Sequence, residues 1–362
     1  MKYKIDKNNG PAYLQIYRQL RDDIINAVYP GGSKLPSKRL LADETETSTV
    51  TVEHAYALLC DEGYIESRER SGYYVIFRHG DGFASPSRPV SRQIAASSSP
   101  HNNPDFPFST LSKTMRSVLS LYGESILEKS PNTGCIPLRE ALKQYLARNR
   151  GIHAELEQII IGSGAEYLYG LIIEMLGRNR IFGIESPSYK KIEQVYRGAD
   201  ASFELLPLCH DGIDSAALAK TAANVLHTTP YRSFPSGVTA SATKRHEYIR
   251  WSAKRDRYII EDDFESEFSV SAKPEDTLFS LSEHGNVIYL NTFSRTISPS
   301  LRMGYMVLPQ SLVQTFEDKL GFYSSTVPTF EQLVLTELLN SGDFERHINR
   351  VRRNKRRELA AK

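Results

Sequence analysis

Residues 79–104, HGDGFASPSRPVSRQIAASSSPHNNP, constrain this chain more than any single motif does. The stretch is rich in Ser, Pro, Gly and Asn and has almost no apolar periodicity. It buries too little surface to offset the entropy of ordering, so it reads as a linker. The chain is therefore expected to form two bodies, residues 1–78 and residues 105–362. Its 362 residues suffice for both, and 40% apolar with 24% charged content is ordinary for a globular protein.

Bulk properties exclude several classes. A net charge of +2 points to no partner. Cys60, Cys135 and Cys209 lie far apart with no metal or CxxC spacing, which suits reduced thiols in a cytoplasmic protein with no metal site. The start, MKYKIDKNNG, lacks the apolar run of a signal peptide. The most apolar window, roughly 158–177, is interrupted by Glu166 and Glu174, so no membrane span is expected.

In the first body, residues 12–28 place Leu14, Ile16, Leu20, Ile24 and Ile25 near one helical face. YPGGSKLP breaks that helix, Pro36 suits a helix start, and 36–45 reads as a second helix. Ser48 can cap a third, 49–62, with Val52, Ala55, Leu58 and Leu59 inward. YIESRERSGYYVIF then reads as two strands around a charged turn with Ser71 and Gly72 at its tip. This order is that of a winged helix-turn-helix, whose second motif helix enters the major groove of double-stranded DNA. The candidate contacts are Ser48, Thr49, Val50 and Thr51 at that helix start, and Lys38, Arg39, Arg68 and Arg70 for phosphates, with the wing tip beside them. Acidic and basic residues balance over the first 80 positions, so the case rests on spacing rather than on bulk charge.

The second body alternates apolar strands (EQIIIG, RIFGIE, ANVLHTT, RYIIEDD, NVIYLNT, MGYMVLP) with helical stretches (135–149, 164–177, 188–197, 242–255). Near-continuous apolar strands between helices imply an α/β fold, a parallel sheet covered on both faces. Ligands in such sheets bind beyond the carboxyl ends of the strands. There the sequence places Gly162–Glu166, Glu185–Tyr189, Thr228–Pro230, Asp262–Phe264 and Thr292–Arg302.

Those residue types match what a phosphorylated pyridine needs. Gly162, Ser163, Gly164, Ala165 and Glu166, between a strand and a helix, can offer backbone amides to a phosphate. Thr292, Ser294 and Arg302 can add hydroxyls and charge. Asp262 can hold a protonated ring nitrogen, and Tyr189 can stack on the ring. Asp263 is the weaker candidate, since Asp262 and Phe264, two apart, share a face.

KLPSKRLLADE and STVTVEHAYALLCDEGYIESRERSGYYV closely resemble the DNA-binding domain of the GntR family of bacterial regulators. FPFSTLSKTMR, PLREALKQYLARNRGI, IIIGSGAEYLYGLI, ESPSY, TTPYRSFPSGVT, YIIEDDFESEF and YLNTFSRTISPSLRMGY extend the resemblance across the chain to its MocR-type subfamily. Those regulators join a winged helix-turn-helix to a domain like a fold-type I aminotransferase, mostly parallel α/β/α, that binds pyridoxal phosphate.

The resemblance implies a homodimeric regulator that binds operator DNA. It makes Asp262 the pyridine partner, Tyr189 the stacking ring and Arg302 the phosphate ligand, helped by Thr292 and Ser294. Arg295 takes the place of the Schiff-base lysine, and Phe264 that of a tyrosine whose hydroxyl reaches the cofactor. Arg232 and Ser233 stand where the family usually has His and Gln, and Thr49 where it usually has Arg. A guanidinium stays protonated and cannot form the imine, so no catalytic residue is assigned and any cofactor is held non-covalently. The family continues past FERHINRVRRNKRRELAAK into a smaller domain, so the second body is expected to be C-terminally incomplete. Three readings stay open: a regulator sensing a small ligand, an active aminotransferase, and a dimerisation scaffold without a ligand.

Overall fold

Helix α1 (Ala12–Ile25) opens the small unit. It buries Ile16, Tyr17, Leu20 and Ile24, while Leu14 and Ile25 are only half-buried. The buried face is thus centred one residue further round than the apolar spacing suggests. Ser37 caps α2 (Lys38–Thr45) by accepting from Leu40 N. Pro36 lies before the helix rather than inside it, and its carbonyl accepts from Tyr56 Oη at 2.8 Å. Glu46, left-handed at φ 54°, turns the chain into α3 (Thr49–Asp61), capped by Ser48. Strands β1 (Ile65–Arg68) and β2 (Gly72–Val75) pair antiparallel as the wing. Thr45 is buried where an apolar residue would serve, and its hydroxyl is satisfied by Leu41 O at 2.7 Å and Thr47 Oγ1 at 2.8 Å.

The structure, a computed structural model, describes residues 3–6, 10–69, 71–77, 106–254, 256–269 and 276–360. The chain divides into two units, Met1–Ser98 and Ser99–Lys362. The expected linker, 79–104, and Arg70 lie outside the described residues. Among the described residues no helix is long and apolar enough to cross a membrane.

The large unit begins with α4 (Phe108–Tyr122) and α5 (Ile136–Arg150). There follow β3 (Ile159–Gly162), α6 (Ala165–Leu176), β4 (Ile181–Ser186), α7 (Lys190–Gly198), β5 (Ser202–Cys209), β6 (Gly212–Ile213) and α8 (Ser215–Lys220). Then come β7 (Val225–Thr228), α9 (Ala242–Ser252), β8 (Tyr258–Asp262), α10 (Leu278–Leu281), β9 (Val287–Thr292) and β10 (Gly304–Val307). Helices α11 (Gln310–Leu320), α12 (Thr329–Asn340) and α13 (Asp343–Ala360) complete it.

Strands β3 to β10 form one sheet in the order β3-β10-β9-β8-β7-β4-β5-β6. Parallel pairing runs through β9, β8, β7, β4 and β5, while β10 is antiparallel to both β3 and β9. The sheet is therefore mostly parallel, and the expectation that MGYMVLP joins as another parallel strand fails. Its 11-residue gap from β9 holds the Thr292–Arg302 turn rather than a crossover helix. Because β10 reverses between β3 and β9, the carboxyl ends of β3, β9, β8, β7 and β4 all meet one edge.

Both faces are covered. Ile159, Ile161, Tyr289 and Tyr305 face a core with α5, α12 and α13, whereas Ile160, Ile288, Leu290 and Met306 face α6, α7 and α11. This alternation within wholly apolar strands is what burial on two sides requires. Gly162 closes the β3–α6 turn, where a Cβ would sit 2.6 Å from Leu168 Cδ2.

Candidate functional site

At the carboxyl edge lies a cavity of about 320 Å³. All ten cofactor candidates line it: Gly164, Ala165, Glu166, Tyr189, Asp262, Phe264, Thr292, Ser294, Arg295 and Arg302. Tyr169, Lys191, Ile192, Phe234 and Pro299 complete the wall.

Asp262 ends β8 and is buried at 3% exposure. Its Oδ2 accepts from Tyr169 Oη and lies 3.6 Å from His227 Nε2, whose ring meets Tyr196 Oη through Nδ1 at 3.0 Å. Its Oδ1 is buried and, among the described residues, has no hydrogen-bond partner. An unpartnered carboxylate oxygen costs desolvation energy that a donor from a ligand would recover. Asp263, one residue on, turns away: Arg150 Nη2 donates to its Oδ2 at 2.5 Å and Tyr289 Oη at 2.7 Å. Strand alternation thus sends one carboxylate to the cavity and the next into the core.

Arg295 does not reach free into this space. Its Nη1 pairs with Glu265 Oε1, and its guanidinium sits 5.6 Å from the Phe264 ring centroid. Its buried Nε has no acceptor among the described residues. The two departures at 264 and 295 therefore form one stacked unit with Glu265. Nearby Lys355, on α13, has its pKa lowered by burial and by the charges of Arg232 and Arg295, against a raising contribution from Glu265.

At the start of α6, Arg302 Nη2 donates to Glu166 Oε2 at 2.9 Å and Lys191 Nζ to Glu166 Oε1 at 3.0 Å. Burial alone would raise the Glu166 carboxyl, but the Lys191 hydrogen bond, the backbone amide of Glu166 and the Arg302 charge together outweigh it and hold it below the ordinary range. The Arg302 guanidinium lies across the helix start, 3.6 Å from where a Gly164 Cβ would stand. The aromatic wall is set from behind. Buried Glu185 accepts from Thr228 Oγ1 at 2.5 Å, Thr229 N at 3.1 Å and Ser233 Oγ at 2.7 Å. These bonds fix the turn that brings Phe234 edge-on to Tyr189, with centroids 6.0 Å apart.

Sequence reasoning missed Tyr169, His227, Glu265, Lys191 and Phe234. Tyr169 had a signal, since it follows Glu166 by three residues on α6 and must share its face. Glu265 had none, because EDDFESEF offers several carboxylates and spacing does not say which meets Arg295.

In the small unit, two of the expected phosphate contacts, Lys38 and Arg68, are ion-paired at the surface. Lys38 Nζ meets Glu53 Oε1 at 2.7 Å. Arg68 meets Glu66 at 2.7 Å and stacks 4.4 Å from the Tyr74 centroid. Arg39, Thr49 and Val50 are exposed, and Ser71 Oγ lies 2.8 Å from Tyr74 Oη beside Gly72 at φ 112°.

Comparison with known proteins accounts for both units. Residues 12–75 match bacterial regulatory proteins of the gntR family, and residues 101–361 match aminotransferase class I and II. The uncharacterized HTH-type transcriptional regulator YdeL of Bacillus subtilis is 33% identical, over 97% of this chain and 78% of its own. The probable rhizopine catabolism regulatory protein MocR of Rhizobium meliloti is 28% identical, over 95% and 74%. A crystal structure of Pyrococcus horikoshii kynurenine aminotransferase superposes with a TM-score of 0.64 at 26% identity. That match covers 70% of this chain and 66% of the aminotransferase, just under two thirds of its length. With a gntR helix-turn-helix ahead of an aminotransferase domain, the chain belongs to the MocR-type gntR regulators and is a DNA-binding transcription regulator.

Proposed function

We propose that this regulator holds pyridoxal phosphate, or a ligand of the same aromatic and anionic chemistry, in the large-unit cavity without a covalent bond, and senses its occupancy. The observation that carries the reading is Asp262 Oδ1, buried, unpartnered and on the cavity wall. A protonated ring nitrogen is the donor it lacks. Tyr189 and Phe234 supply a flat wall, and Arg302 with the start of α6 supplies an anion site. When bound, pyridoxal phosphate offers an electron-withdrawing ring and an aldehyde. This chain's residues orient the ring and neutralise its phosphate, and Arg295, paired with Glu265, offers no amine to the aldehyde. Residues 1–78 are the DNA-binding domain in this reading, 79–104 the linker and 105–362 the sensing domain, in a cytoplasmic protein. Exposed Phe108, Leu119, Leu121, Leu127 and Ile136, on α4, α5 and the turn between them, support a homodimer that presents two DNA-binding heads.

The test is an absorbance titration with pyridoxal phosphate, followed by borohydride, on this protein and on Arg295→Lys. The expected result is saturable binding to both, with a reducible covalent adduct only in Arg295→Lys. An adduct in the unaltered chain would mean another lysine serves and would revive aminotransferase activity. Binding to neither would leave the domain a scaffold.

A further inference from the structure

Helix α3, which the family docks in the major groove, carries no lysine or arginine: its sequence is TVTVEHAYALLCD. The side chains of its first turns are unequally available. Ser48 Oγ accepts from Thr51 N at 3.1 Å and lies 2.8 Å from Thr51 Oγ1, so the cap already engages both hydroxyls. Glu53 is held by Lys38, and His54 packs against Tyr13 with ring centroids 4.9 Å apart. Thr49 and Val50 remain outward, and Val50 is 69% exposed while Val52, two residues on, is wholly buried. A valine this exposed contributes nothing to the core of the small unit.

Base edges in the major groove are told apart by donors, by acceptors and by the thymine C5-methyl group. The commonest specific contact, a guanidinium or ammonium on guanine, is unavailable from α3. Valine has neither donor nor acceptor, so the one edge it favours is the methyl of thymine. We propose that Val50 is a specificity-determining residue that reads a thymine methyl, and that each operator half-site carries an A·T pair where α3 enters the groove. The Thr49 methyl borders the same contact. Lys38, Arg39 and Arg68 then supply position and affinity but no base preference.

The test selects binding duplexes from a randomised library with the full chain. Each thymine of the best half-site is then replaced by deoxyuridine, which deletes only the methyl group. The expected result is a four- to tenfold loss of affinity, roughly the scale of burying one methyl, at one or two positions per half-site. In Val50→Ala, which truncates a largely exposed side chain, the same replacement should cost less than about twofold. The proposal falls if uracil duplexes bind like thymine ones throughout, or if Val50→Ala keeps the full uracil penalty. It falls equally if selection returns only G·C pairs at the half-site, or no preference.

Discussion

In the small unit, Lys38 meets Glu53 and Arg68 meets Glu66 with a third or more of every side chain exposed. In the large unit, Arg150 meets Asp263 with side chains 6% and 0% exposed, and Arg295 meets Glu265 at 26% and 8%. The same pairing serves two ends. Exposed pairs are worth little and exchange readily for a phosphate, so Lys38 and Arg68 stay available to a phosphate although paired. A pair buried on both sides, as Arg150 and Asp263 are, is costly to break, so it fixes geometry beside the cavity.

The comparison breaks first at Arg150. Arg150→Ala strands the Asp263 carboxylate, which also accepts from Tyr289 Oη and from Ser266 N. We expect a loss of about 3–5 kcal/mol, measured by denaturant unfolding of the full chain. A loss under about 1 kcal/mol would place this pair with the exposed ones and remove the contrast.

A smaller effect sharpens it. Glu267 is buried in the same network, and burial followed by the Asp263 charge pushes its carboxyl up to about 7. The sign follows from linkage. The folded chain keeps this proton up to about pH 7, whereas the unfolded chain releases it near its ordinary value of 4.5. Between those values the folded state holds more protons, so its stability falls as pH rises. Glu267→Gln removes that loss, so the variant should gain about 2 kcal/mol relative to the unaltered chain between pH 5 and pH 8. Stability curves that run parallel across this range would show that Glu267 is ionised in the fold.

How much of this was legible follows the same division. Alternating apolar strands announced the sheet, and residues past the ends of β3, β4, β8 and β9 share one cavity, because strand direction fixes which edge they reach, whereas Thr228 and Thr229 at the end of β7 bond Glu185 instead of lining it. SFELLPLC, now β5, was missed because its short apolar run is interrupted by Pro207 and mostly not buried, with Ser202, Leu205 and Pro207 exposed. The Arg295–Glu265 pair and the bond from Tyr169 to Asp262 were missed because they join elements far apart in sequence. Among several nearby carboxylates, only the fold chooses the partner. In the small unit the capping Ser48 was legible from its own position, whereas the mutual satisfaction of Thr45 and Thr47 depended on the turn at Glu46 bringing them together.

The smallest expected effect lies at Lys38. Lys38→Ala removes a pair in which both side chains are solvated, so stability should change by less than about 0.5 kcal/mol. Its effect belongs to DNA: the slope of log affinity against log salt should fall by about 1, similarly for specific and non-specific duplexes, by fluorescence anisotropy over a range of salt. The two readouts separate the roles a paired cation can have. A lysine that served Glu53 alone would leave the slope untouched, and a lysine that read bases would shift specific binding more than non-specific. If the slope falls while stability holds, Glu53 keeps Lys38 in place until a phosphate replaces it. That exchange is open to the exposed pairs, whereas Arg150 and Asp263 are sealed in the core.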